Sequence, residues 1–346
     1  MRILVTGSNG YIGSVLMPLL IESGHEIHGF DSDLYMDCTY GPSFPKFQFT
    51  NKDIRDVDIS DLEGFDAVIH LAALSNDPLS DLNPSLTFEI NHLASVRLAK
   101  LARDAGVKRF LFSSSCSTYG TSGDNILNEE AGFNPVTPYG STKVLVEKDV
   151  AALADDTFSP TFLRNATAYG LSPRMRFDLV LNNLVAWAYA TGVVYLKSDG
   201  TPWRPLVHVE DIASAFITIL QAPRETVHNQ AFNIGCNREN YRILDLARIV
   251  EKTVPGCRIE FAKDAGPDKR CYRVDFGKFS STFPQYNPKW DAKSGAEALY
   301  ESYRKYGIHQ EDFEGPRFKR IDHIKRLIFI GRLDETLRWT LQKAQK

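Results

Sequence analysis

Tyr139 and Lys143 stand four residues apart in Tyr139-Gly140-Ser141-Thr142-Lys143, with the hydroxyl-rich run Ser113-Ser114-Ser115 upstream. On a helix, that spacing puts both side chains on one face. A free tyrosine, with a pKa near ~10, is a poor base at neutral pH, and lowering that value by ~3 units takes about 4 kcal/mol of differential stabilisation. A neighbouring ammonium favours the phenolate, and an adjacent hydroxyl can carry the proton onward. The set is therefore suited to taking a proton from an alcohol. A tyrosine and a lysine at this spacing also recur by chance on helix surfaces, so the reading depends on the elements that position them.

The chain opens on an apolar strand, Arg2-Ile3-Leu4-Val5-Thr6, followed by Gly7-Ser8-Asn9-Gly10-Tyr11-Ile12-Gly13 and a helical run to Glu22. A strand, a glycine-rich turn and a helix begin a βαβ unit. Gly7 permits the tight turn, Gly10 lets backbone approach a pyrophosphate, and Gly13 allows close helix–strand packing. Pro18 lies inside that helix and is expected to kink or destabilise it. The next strand, Glu26 to Phe30, ends at Asp31, where a carboxylate suits the adenine ribose hydroxyls of a dinucleotide and repels an extra phosphate. The expected cofactor is thus NAD. After a short strand around Phe47 to Phe49, Asp53 and Ile54 are placed to flank the adenine ring. The strand Asp66 to His70 closes on Leu71, Ala72 and Ala73, small enough for a flat cofactor to lie on the backbone; His70 itself reads as a packed core residue. A helix from Ser85 to Ala105, containing Asn91, precedes the strand Arg109 to Phe112. Pro138 fits the first turn of a helix running to about Ala154. Strands alternating with helices predict an α/β fold, a Rossmann-type doubly wound parallel sheet over residues 1–165, with its ligand at the strands' C-terminal ends.

Beyond residue 165 the alternation is less regular. Residues 166–306 read as a smaller substrate lobe interleaved with the first domain, with segments near 204–235 returning to it and Asp211 as a helix cap. Residues 307–346 read as a helical extension, with Leu327 to Ile330 and Leu333 to Leu341 helical and packed on the same subunit or reaching a partner. With 346 residues, 43% hydrophobic and a net charge of −3, the composition is that of a globular protein and offers no nucleic-acid surface. No apolar run approaches the ~20 residues that span a bilayer. The five cysteines (Cys38, Cys116, Cys236, Cys257, Cys271) lack the spacing of a disulfide framework or a metal site. The start of the chain shows no leader peptide, and a reducing cytoplasm is the expected location.

Together these residues resemble the extended short-chain dehydrogenase/reductases, in their nucleotide-sugar epimerase/dehydratase branch. The matching pieces are Gly7 to Gly13, Asp31, Leu71-Ala72-Ala73, Ser115 with Tyr119-Gly120, Tyr139 to Lys143, Arg164 with Tyr169-Gly170, and Arg204 to Asp211. The resemblance implies NAD held by Gly7, Asn9, Gly10, Tyr11, Ile12, Gly13, Asp31, Asp53, Ile54, Leu71 to Ala73, Asn91, Ser113, Tyr139 and Lys143. It implies Tyr139 as the base at a sugar hydroxyl, Lys143 on the nicotinamide ribose, and Ser115 on the reacting oxygen. A nucleotide-diphosphate sugar is the implied substrate, with Ser75, Ser115, Cys116, Ser117, Thr167, Arg176, Asn183, Arg204, Arg270 and Arg273 as its contacts. Cys116 also reads as a small buried apolar group.

The departures from the family pattern bear on the reaction. Sugar 4,6-dehydratases of this kind carry Asp-Glu directly after the serine or threonine, where this chain has Cys116-Ser117. Serine cannot replace that base, so dehydration is disfavoured. The leading expectation is an epimerase that oxidises a sugar hydroxyl at C4 and re-reduces the ketone. A 4-dehydrogenase or 4-ketoreductase is the alternative, and a non-catalytic NAD-binding regulator the remotest. The resemblance further implies a homodimer through the helices near 85–105 and 139–154.

Overall fold

The computed structural model describes residues 1–41, 44–75, 80, 83–121, 125–266 and 271–340. The apolar runs form β1 (Arg2–Thr6), β2 (Glu26–Asp31), β3 (Phe49–Asn51), β4 (Ala67–His70), β5 (Arg109–Ser115), β6 (Ser159–Asn165) and β7 (Gln230–Ile234). They build a seven-stranded sheet in the order β7-β6-β5-β4-β1-β2-β3, with every adjacent pair parallel. Every residue of β4 and β6 is buried, as expected for strands covered on both faces. The strand order reverses between β1 and β4, which opens a crevice at the C-terminal ends of those strands.

Helix α1 (Gly13–Glu22) continues through Pro18, which withdraws one backbone donor without ending the helix. The long helix expected between Ser85 and Ala105 is instead three pieces: α2 (Pro84–Phe88), a π turn (Glu89–Leu93) and α3 (Ala94–Asp104). α4 (Pro138–Ala151) begins at Thr137, whose hydroxyl accepts from the Gly140 N–H, with Pro138 in the first turn.

The second half builds a separate buried cluster around α5 (Val180–Thr191) and the helices Ile243–Thr253 and Ala292–Tyr306. Thr167–Tyr169, Trp203–His208 and Asn240–Arg242 form a three-stranded sheet beside it. Gln230–Ile234 returns to the large sheet, whereas Trp203–His208 stays in the small one. Asp211 is not the helix cap: His208 Nδ1 accepts from the Glu210 N–H, and buried Asp211 accepts from the Lys289 and Trp290 N–H groups.

In the C-terminal segment, Arg320–Phe329 is helical, burying Ile324 and Leu327. Residues 333–340 are not the expected helix. The Asp334 carboxylate accepts from the Thr336 and Arg338 N–H groups, Leu337 has φ 61°, and Leu333 pairs with Trp339. A side chain that captures backbone donors in this way competes with a helix. Leu341 lies outside the described residues. The segment packs on its own chain, where Leu333 and Leu337 join the cluster holding Ile54 and Val57.

Candidate functional site

The crevice is a cavity of about 430 Å³ above β1, β2, β4 and β5. Its floor is the glycine turn. Gly7 has φ 73°, and a Cβ there would sit 2.7 Å from the Ala72 nitrogen; at Gly13 a Cβ would lie 2.3 Å from the Gly7 carbonyl oxygen. Glycine is therefore required at both. The result is backbone packed close enough to aim the α1 N-terminus into the cavity, a geometry that receives phosphate. Beside it, the Asp31 carboxylate accepts from the Asn9 and Asp33 N–H groups at 2.9 and 2.7 Å. Burial nonetheless pushes Asp31 up to about 6.

At the other end, Lys143 is buried, its Nζ donating to the Ser113 carbonyl at 2.7 Å and lying 4.5 Å over the Phe112 ring. The same Nζ is 5.6 Å from the centre of the Tyr139 ring. Burial pulls Lys143 down to about 7, opposed by the Glu147 carboxylate one turn along α4. A negative charge on Tyr139 would favour the ammonium form of Lys143. Ser115, the last residue of β5, accepts from the Ser117 N–H at 3.1 Å, which leaves its hydroxyl proton to donate into the cavity. Behind this pair, Glu147 and Arg164 form a buried ion pair of 2.7 Å, joined by Ser114 and Tyr119. Arg164 is thus a support of the site.

The substrate side is cationic. Arg176 bridges Asp178, at 2.6 Å, and the Ser75 hydroxyl, at 3.1 Å. Arg204 is buried with its guanidinium 5.8 Å from the centre of the Tyr272 ring.

Most of the expected site residues share this one cavity. Gly7, Asn9 to Gly13, Asp31, Asp53, Ile54 and Leu71 to Ala73 line it from the first strands, and Ser75, Ser113, Ser115 and Ser117 continue the wall. Tyr139, Lys143, Thr167, Arg176 and Arg204 complete it. Asp53 faces it while held by Arg55 at 2.7 Å.

Four expected contacts are placed elsewhere. Asn91 stands behind the wall, pinning the Leu74 N–H and carbonyl. Cys116 is fully buried, with Sγ donating to the Arg164 carbonyl and its thiol pushed up by burial, because β5 turns that side chain into the core. Asn183 lies outside the cavity lining, one position away from Asn182, which bonds the Gly170 N–H. Arg273 packs over the Trp203 ring at 5.2 Å. Arg270 lies outside the described residues. His70 is the core residue expected, bonded to Thr6 and Ser95 at 2.6 and 2.7 Å, and burial pulls it down to about 3, so it is neutral.

Residues not singled out in the sequence also line the cavity, among them Tyr272, Arg320 and Leu337. Tyr272 had a signal, the basic run around it; Arg320 and Leu337 had none. Buried polar atoms on the cavity-lining residues Asn9, Ser117, Asn165 and Arg320 lack a protein partner, as a site shaped for a polar ligand requires. Among the described residues, no cluster of metal-ligating side chains and no helix long and apolar enough to cross a membrane is present.

A parallel sheet with a glycine turn, an acidic residue ending β2 and a tyrosine–lysine pair on the same cavity is the arrangement of a dinucleotide-binding enzyme. The chain belongs to the NAD dependent epimerase/dehydratase family, whose pattern matches residues 3–235. It is 32% identical over 272 residues to a UDP-glucose 4-epimerase of Lactobacillus helveticus, covering 72% of this chain and 82% of that one. A UDP-glucuronic acid decarboxylase 1 of Arabidopsis thaliana is 25% identical over 91% of this chain and 72% of its own. The structure of a UDP-glucuronic acid 4-epimerase from Bacillus cereus, in complex with UDP-glucuronic acid and NAD, superposes with a TM-score of 0.74. That comparison runs at 27% identity and covers 88% of this chain and 99% of the other. The protein is an NAD-dependent enzyme of this family, and the cavity, which brings together the glycine turn, the Asp31 carboxylate, Tyr139 and Lys143, fits that cofactor.

Proposed function

We propose that the protein is a nucleotide-sugar 4-epimerase. The observation that carries this reading is that Ser115, Tyr139 and Lys143 face one cavity together with Arg176 and Arg204. Bound NAD supplies the acceptor for the hydride and, in the return step, its donor. The Tyr139 oxygen takes the proton of the C4 hydroxyl as the hydride leaves C4, and gives it back after the ketone has turned. Ser115 donates to the same oxygen, and Lys143 keeps negative charge on Tyr139 favourable. The two arginines suit the diphosphate or an acidic group of the sugar nucleotide.

Epimerisation is favoured over dehydration by what stands next to Ser115. Elimination needs an acid and a base at the positions of Cys116 and Ser117, and a buried thiol and a hydroxyl supply neither. The carboxylates lining the cavity among the described residues are Asp31, Asp33, Asp53 and Asp178, and Asp178 is ion-paired with Arg176.

The test is incubation with UDP-, GDP-, CDP- and dTDP-sugars while following reduced-nicotinamide absorbance. An isomeric product with no net NADH supports the proposal; accumulation of NADH in proportion to sugar would make the protein a dehydrogenase instead. We further propose a homodimer through α3 and α4, near which Leu93 is 60% exposed; a solution mass of one chain would refute it. The five free cysteines suit a reducing cytoplasm.

A further inference from the structure

We propose that the C-terminal segment, residues 320–340, completes the dinucleotide site, with Arg320 as the cation for the cofactor's diphosphate and Leu337 as the cover of its adenine end.

Between Asp31 and Phe44 the sequence has no lysine or arginine, so the loop leaving β2 brings no cation of its own to the cavity. Arg320 supplies one from the other end of the chain. Its guanidinium stacks 3.7 Å from the centre of the Tyr35 ring, and Nη2 donates to the Arg174 carbonyl at 3.3 Å. Arg174 in turn donates to the Asn9 carbonyl at 2.9 Å and to that of Tyr35 at 2.7 Å. This chain of contacts ties Arg320, which lines the cavity, to the glycine turn through Arg174. The residue is only 4% exposed, and Nη1 is buried without a partner. Lys52 and Arg176 on the same cavity are each ion-paired, with Asp58 and Asp61 and with Asp178. Among the described residues, no carboxylate stands within ion-pair distance of Arg320. A buried guanidinium with a free donor and no counter-charge is costly unless an anion arrives, and a diphosphate is the anion this fold receives there.

Leu337 marks the other end of the segment. It lines the cavity and packs in the cluster of Ile54 while held at φ 61°, a conformation unfavourable for a branched side chain. The surroundings impose it. Asp334 caps the turn, Arg55 donates to the Thr336 carbonyl at 2.9 Å, Arg338 pairs with Asp56, and Trp339 donates to the Ser32 carbonyl at 2.6 Å. The segment is therefore fastened to the loops after both β2 and β3, between which an adenosine lies in this fold. The Bacillus cereus epimerase is covered almost to its full length while part of this chain finds no counterpart in it.

The inference rests on the dinucleotide occupying this cavity, which NADH binding by the wild type reports separately. The experiment is calorimetric titration of the full-length protein, freed of cofactor, with adenosine, ADP, NADH and UDP. The variants are R320Q, R320K and L337G, the last of which relieves a left-handed residue while removing a buried side chain; melting curves without ligand check all three. R320Q is expected to weaken ADP and NADH about tenfold or more while adenosine and UDP stay within about twofold, and R320K recovers part of the loss. L337G is expected to weaken adenosine and ADP alike by roughly threefold. ADP binding by a folded R320Q within about twofold of wild type would overturn the proposal. So would equal losses of UDP and ADP, which would move Arg320 to the substrate's diphosphate. Failure of the wild type to bind NADH would overturn the cofactor assignment as well.

Discussion

At the catalytic end of the cavity, Ser113, Ser115, Tyr139 and Lys143 come from β5 and α4, neighbours in sequence and in space. At the adenosine end, Asp31 and Ile54 share the cavity wall with Arg320 and Leu337 from the far end of the chain. One end is assembled from a short stretch whose local rules fix its geometry. The other depends on closure of nearly the whole polypeptide. Disturbing the first should cost chemistry with binding intact; disturbing the second should cost binding first.

The largest effect is expected from Y139F, which removes the proposed proton acceptor. Turnover should fall by about 10²–10⁴-fold while NADH affinity holds, as steady-state rates and a binding titration would read. An equal loss of NADH affinity would break the contrast between the two ends. Next is E147Q. It leaves the buried Arg164 guanidinium without its counter-charge, and should cost about 3–5 kcal/mol in urea unfolding. A cost below about 1 kcal/mol would mean that this pair does not support the catalytic helix.

At the adenosine end, the proposed contact of Asp31 with the ribose hydroxyls needs the ionised carboxylate. Its folded-state value is raised, so protonation arrives earlier than in a free carboxylic acid. NADH affinity should therefore be full above about 6 and fall roughly tenfold per pH unit below it. D31N should bind weakly with a flat profile between pH 5 and 8. A wild-type profile flat over the same range would remove Asp31 from the cofactor contact. The smallest effect belongs to C116A. A thiol bonded to a carbonyl in the core should cost about 1–2 kcal/mol of stability and leave kcat unchanged. A large fall in kcat in a well-folded C116A would return that sulfur to the reaction.

Much of this was legible from residue order alone, for reasons particular to each element. The glycine turn can be read because Gly7 and Gly13 answer steric needs within a single βα unit. Tyr139 and Lys143 can be read because one helical turn sets their relation whatever surrounds them. The single helix expected through Asn91 became three pieces because the side chain's paired bonds to Leu74 accompany a π turn, and nothing local announces that bond. Cys116 looks like a site residue by position, yet the strand ends so that Ser115 and Ser117 face the cavity while Cys116 turns away.

The amino-acid sequence by itself determined the doubly wound sheet, the place of its switch point and the tyrosine–lysine pair, since each follows from periodicity or from spacing within one or two elements. Only the tertiary structure decided that residues 333–340 form a turn, that Asp211 anchors Lys289 and Trp290, and that Arg320 lines the cavity. The physical reason is common to all three. Asp334 holds its turn locally, but each placement is fixed by partners distant along the chain: the Arg338–Asp56 pair and the Trp339–Ser32 bond, the Asp211 bonds to Lys289 and Trp290, and the stacking of Arg320 on Tyr35. Contacts of that kind leave no period or motif in the residues that make them.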